Sequence, residues 1–131
     1  MDLTKLFTFD MAHRLSFHKG KCWNLHGHTY KLEVTVSGDA DSNGMVIDFN
    51  DLKNIIMEKV VDVLDHATVI YEKDELMMKN FPMELHHVIM PYEPTAENLC
   101  IWITEQLEEA GLKIKQVAVW ETPNSKAVYI K

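Results

Sequence analysis

Cys22-Trp-Asn-Leu-His-Gly-His-Thr-Tyr-Lys-Leu-Glu-Val-Thr-Val-Ser37 runs a thiol and two imidazoles straight into an alternating segment. Positions 28, 30, 32, 34 and 36 are His, Tyr, Leu, Val and Val, the two-residue period of a strand with one apolar face. His26 and His28 then project from that same face, where water is scarce. Upstream, Phe7, Phe9, Met11, His13 and Leu15 share a parity, which puts His13 on the buried side of a second strand. A buried imidazole without a partner is unfavourable.

Three histidines on apolar strand faces beside a cysteine fit a metal ion, and the ligand type favours zinc. The plainer alternative makes His13 a core histidine bonded to backbone, with His26 and His28 flanking a turn at Gly27. Cys22 is either a fourth ligand that closes a structural site or a free thiol beside a three-histidine zinc with an open position. Spacing leaves both open.

The length, 131 residues, suits a single domain with one core. A net charge of -7, with no run of Lys or Arg longer than two, argues against a nucleic-acid partner or an anionic membrane surface. A small ligand fits better. No stretch approaches the apolar length of a membrane span, and Met1-Asp-Leu-Thr-Lys5 has no basic segment leading an apolar run, so a cytoplasmic protein is expected. Of the two cysteines, Cys100 sits between Leu99 and Ile101 as a small buried hydrophobe.

The pattern predicts strands over 3–15 and 28–37 as an antiparallel pair. A first helix is capped by Asp48 and carries Leu52, Ile55, Ile56, Val60, Val63 and Leu64 at helical spacing. A second begins at Thr95, carries Ala96, Leu99, Ile103 and Leu107, and ends at Gly111. Strands over 116–122 and 127–131 close the chain. Between the two helices the pattern weakens, with a short helix over 74–81 and a short strand over 87–90. The order strand, strand, helix, helix, strand, strand implies an α+β fold, a four-stranded antiparallel sheet with two helices on one face.

Two acids need separate readings. Glu121 shares the parity of Val117 and Val119, so it is either a strand-end surface acid or an inward carboxylate able to grip a planar N-C-N group through both oxygens. Asp65 and His66 close the first helix. Adjacent helical side chains diverge by about 100°, so by sequence alone the pair reads as a solvated helix terminus with the histidine favoured by the dipole.

Phe9-Asp-Met-Ala-His13, Cys22 through His28, Asp48-Phe49, Leu64-Asp-His66, Pro94-Thr-Ala-Glu-Asn98, and Glu121-Thr122 with Ala127-Val-Tyr129 occur in this order across the chain. Together they resemble the family of 6-pyruvoyltetrahydropterin and 6-carboxytetrahydropterin synthases. The resemblance implies the tunnelling fold, whose sheets from several subunits join into a barrel, in a homo-oligomer of two stacked trimers with active sites at subunit boundaries. It implies that His13, His26 and His28 bind zinc and that Cys22 is the catalytic thiol. Asp65 and His66 would be the thiol's partners, reaching it from a neighbouring chain, and Glu121 the acid that anchors the pterin. The implied substrate is 7,8-dihydroneopterin triphosphate, whose side-chain hydroxyls suit the open position of the zinc.

Only three residues, Trp23, Asn24 and Leu25, separate the cysteine from His26. This matches the carboxy-forming bacterial branch, which releases acetaldehyde and triphosphate and leads toward 7-deazapurines such as the queuosine precursor. The pyruvoyl-forming branch is the alternative, and a non-catalytic zinc-binding module is a more distant one. The chain departs from compact bacterial members in the 27 residues between His66 and Pro94.

Overall fold

β1 (Asp2–His13) and β2 (His26–Ser37) pair antiparallel along their whole length, from Asp2 opposite Ser37 to His13 opposite His26, in a computed structural model that describes residues 1–131. The alternating pattern of both strands drives this register. Phe7, Phe9, Met11, Tyr30, Leu32, Val34 and Val36 are all buried on one face. β5 (Ile114–Thr122) pairs antiparallel with β2, and β6 (Ser125–Ile130) with β5, adding Val117 and Val119 to that face.

Helices cover it. α1 (Phe49–Ile56) is capped by Asp48, whose carboxylate accepts from the Asn50 amide at 2.7 Å. A π-helical stretch (Met57–Val61) and a last α turn, α2 (Asp62–Leu64), continue it. Apolar residues spaced strictly by four drift about 40° per step around an α-helix. The wider π turn offsets that drift, so Leu52, Ile56, Val60 and Leu64 all stay fully buried in one stripe. Further along, α3 (Glu75–Asn80) is short, and α4 (Ala96–Glu109) starts at Thr95, whose hydroxyl accepts from the Asn98 amide at 3.1 Å. Leu99, Ile103 and Leu107 of α4 fill the remaining core. No helix is long and apolar enough to cross a membrane.

The expected four-stranded antiparallel sheet needs correction. The sheet is mixed and has six strands, in the order β4-β3-β1-β2-β5-β6, with β3 (Ala67–Tyr71) parallel to β1 and β4 (His87–Met90) parallel to β3. A third helix, α3, lies between the two extra strands. β3 escapes a sequence reading for a physical reason. It follows the first helical segment after only two residues, and a parallel strand joined through a helix needs no hairpin turn to announce it. Its five residues also lack a period of their own. The insertion between His66 and Pro94 therefore extends the sheet beyond β1, while 74–81 and 87–90 contain the expected short helix and strand.

Candidate active site

The β1–β2 register sets His13 directly across from His26, and Met11 across from His28, so three imidazoles meet at one end of the strand pair. Their ring centroids are 4.7, 5.4 and 4.9 Å apart. The ring of Tyr30 lies edge-on to His13 and His28, and Phe9 stacks on Tyr30 at 5.3 Å, so the floor of the site is aromatic and dry. Burial holds the Tyr30 phenol well above its usual range.

Glu121, at the end of β5, completes the group. Its Oε1 lies 3.2 Å from His13 Nε2 and 3.3 Å from His28 Nε2. Ligand atoms from His13, His26, His28 and Glu121 all lie within 4.8 Å of one another, a spacing able to hold a metal ion.

Hydrogen bonds on the far side of the rings set which nitrogen faces inward. His13 Nδ1 donates to the Pro94 carbonyl at 2.6 Å, and His26 Nδ1 to the Asn24 carbonyl at 2.7 Å. A carbonyl only accepts, so each Nδ1 carries a hydrogen and each Nε2 is left to coordinate. The Nε2 atoms of His26 and His28 are buried with no hydrogen-bond partner. Orphaned buried nitrogens facing a carboxylate call for a cation between them, and these residues fit one. Burial lowers the His28 pKa against the opposing pull of Glu121, favouring the neutral imidazole that a metal requires. Glu121 is held below the usual carboxylate range, chiefly by its close approach to His13.

The second group sits across an open cleft of about 390 Å³ whose walls include His28, Gly27, Thr29, Asp10 and His66. Asp65 and His66 lie beyond the last helical turn rather than within it. Asp65 has extended backbone and His66 is left-handed at φ +61°, the one non-glycine residue with positive φ. That turn brings His66 Nδ1 to 3.0 Å from Asp65 Oδ2, which corrects the expectation that the two side chains diverge, while both remain exposed to solvent as expected. The Asp10 amide donates to Asp65 Oδ1 at 2.9 Å, and this bond first of all lowers the Asp65 pKa. Asp10 Oδ1 in turn accepts from the Thr29 hydroxyl at 2.5 Å. No local pattern in the sequence marks Asp10 or Thr29, because the bond from Asp10 to Asp65 spans 55 residues and Thr29 joins only through Asp10.

Cys22 sits half-buried in a 3₁₀ turn (Lys21–Trp23). It belongs neither to the histidine cluster nor to the lining of the His66 cleft. The fourth partner of the imidazoles is thus Glu121, not the thiol.

Fold and site together define a small α+β protein with a three-histidine centre on a strand pair and an aspartate–histidine pair across a cleft. Residues 2–131 match the family described as 6-pyruvoyl tetrahydropterin synthase, and the chain belongs to that family. It is 40% identical to the 6-carboxy-5,6,7,8-tetrahydropterin synthase of Haemophilus influenzae, over 97% of this chain and 96% of that protein. It is 35% identical to the enzyme of the same name from Aquifex aeolicus, over 98% and 96%. Among solved structures, 6-pyruvoyl tetrahydropterin synthase of Caenorhabditis elegans matches with a TM-score of 0.73 at 26% identity, covering 100% of this chain and 95% of that one. The Plasmodium falciparum protein of that name shares the fold, with a TM-score of 0.81 at 24% identity over 100% and 97%.

Proposed function

We propose that this chain is a zinc-dependent lyase that converts 7,8-dihydroneopterin triphosphate and one water to 6-carboxy-5,6,7,8-tetrahydropterin, acetaldehyde and triphosphate, in a route to 7-deazapurines. The observation that carries this reading is the convergence of His13, His26 and His28 with two orphaned Nε2 atoms, in a chain whose full-length relatives bear that activity in their names.

His13, His26 and His28 would hold the zinc, their Nδ1 atoms steadied by Pro94 and Asn24 where those bonds exist. Bound there, zinc would supply Lewis acidity to the side-chain oxygens of the substrate. Cys22 accepts the proton from the adjacent carbon. Asp65 orients His66 through the 3.0 Å contact, and the pair relays the proton. Within one chain Cys22 does not line the cleft that His66 lines, which supports a site completed by a neighbouring subunit. The sheet ends in open strands at β4 and β6, and Ile89, Val128 and Ile130 expose apolar side chains there, so a homo-oligomer joined at these edges is the expected assembly. Light scattering that gives a monomer with full activity would contradict it.

Glu121 anchors the pterin through its N-C-N edge, an acceptor suited to paired donors. Its 31% side-chain exposure leaves it reachable from the cleft it shares with Ala96, Ser125 and Lys126. Its contacts with His13 and His28 favour a second reading, a closed four-ligand site with no vacancy.

The test is mass analysis of products from purified zinc-loaded protein and 7,8-dihydroneopterin triphosphate. Acetaldehyde and the 6-carboxy product are expected. Accumulation of 6-pyruvoyltetrahydropterin without acetaldehyde would move the chain to the pyruvoyl-forming branch.

A further inference from the structure

The turn that carries Cys22 contains no buried side chain, so packing does not hold it. It is held by hydrogen bonds instead. Three consecutive carbonyls each accept one: Cys22 O from the Leu15 amide at 2.9 Å, Trp23 O from Arg14 Nε at 2.8 Å, and Asn24 O from His26 Nδ1 at 2.7 Å. All three donors are tied to the histidine centre, Arg14 and Leu15 by following His13 in the chain and the third by being His26 itself. The middle donor is a long side chain, and it stays in place only if its far end is anchored.

That anchor is present. Arg14 and Asp74 are buried, with side chains 6% and 3% exposed, and Arg14 Nη1 donates to both carboxylate oxygens at 2.7 and 2.8 Å. Asp74 also caps α3, accepting from the Met77 amide at 3.3 Å. On its other side the guanidinium lies 4.7 Å from the centroid of the Trp23 ring, in cation–π contact. The guanidinium thus joins the turn, through both the carbonyl and the ring of the residue that follows the thiol, to the first residues of the insertion beyond β3. A buried ion pair is poor evidence for stability in itself. A planar donor fork held at fixed distance is well suited to fixing a geometry.

We propose that Arg14 and Asp74 are positioning residues that fix the Cys22 thiol relative to the three histidines. This rests on the proposed role of Cys22, and the test is built so that the two can fail separately. The full-length zinc-loaded chain would be compared with Arg14→Lys, Asp74→Asn and Trp23→Ala. Lys at 14 keeps the charge but loses the fork and the stack, while Trp23→Ala leaves the buried pair intact and so guards against a variant that does not fold.

Three readouts are taken: zinc per chain, the rate of iodoacetamide alkylation at Cys22, and kcat and KM with 7,8-dihydroneopterin triphosphate. Alkylation reports on Cys22 alone, because burial pushes the Cys100 thiol up to about 11. The expected result is unchanged zinc and KM, an alkylation rate shifted several-fold, and kcat lower by about ten-fold or more, since misplacement by about 1 Å is worth up to a hundredfold. An alkylation rate or a kcat equal to wild type in the folded variants would overturn the proposal. If wild-type protein made no pterin product, the proposed function would fall, and the alkylation rates would still decide whether Arg14 and Asp74 place the thiol.

Discussion

His66 Nδ1 lies 3.0 Å from Asp65 Oδ2, although neighbours in a helix point apart; the contact exists because His66 turns left-handed at φ +61° just past the helix end. The strain of a histidine in that region is modest but real. It is offset locally by the His66 amide, which donates to the Asp10 carbonyl at 2.6 Å. The same backbone of β1 thus fixes both members of the pair, Asp65 through the Asp10 amide and His66 through the Asp10 carbonyl.

Asp65→Asn tests this electrostatically. A carboxylate whose folded pKa lies below its unfolded one adds stability above the unfolded value, near about 4, and loses it as pH falls through the folded value. The difference in Tm between wild type and Asp65→Asn should therefore be present at neutral pH and shrink in acid. A difference that grows as the pH is lowered below about 4 would contradict the assignment.

Glu121→Gln separates the two roles open to that carboxylate. As a pterin anchor, its replacement leaves zinc content unchanged and weakens binding of a pterin analogue by about ten-fold or more, the loss of a charge-assisted pair at a partly exposed position. Loss of zinc with Glu121→Gln would instead support the closed four-ligand site. Titration calorimetry and metal analysis on one preparation decide it.

Much of this is legible in the sequence. The parity of Phe7, Phe9, Met11 and His13 places His13 against His26 and His28, and Asp48 and Thr95 mark their helices correctly as caps. What escapes depends on contacts between distant segments. β3 takes its identity from pairing with β1 rather than from a period of its own. Asp74 falls at the start of the short helix expected over 74–81, and nothing near it discloses that Arg14, 60 residues earlier, is buried against it. Asp65 and His66 mislead in the opposite direction, since the 100° rule applies inside a helix and they stand outside one.

Thr95→Ala probes the link between a helix cap and the histidine cluster. Thr95 caps α4 through Asn98, and the carbonyl of the preceding Pro94 accepts from His13 Nδ1. Losing the cap should cost about 1 kcal/mol in denaturant titrations. It should also weaken zinc retention against a chelator, by up to about ten-fold, because the partner that orients His13 is loosened. Stability reduced with zinc affinity unchanged would show that Pro94 is held by other contacts.

On the proposed function the histidines hold the metal while Cys22 is free for chemistry, and Cys22→Ala measured beside His26→Ala separates these roles. Zinc per chain and product formation are determined on the same purified samples. Cys22→Ala is expected to keep one zinc and lose turnover, whereas His26→Ala loses both. Zinc lost from Cys22→Ala as fully as from His26→Ala, or turnover retained without the thiol, would contradict it.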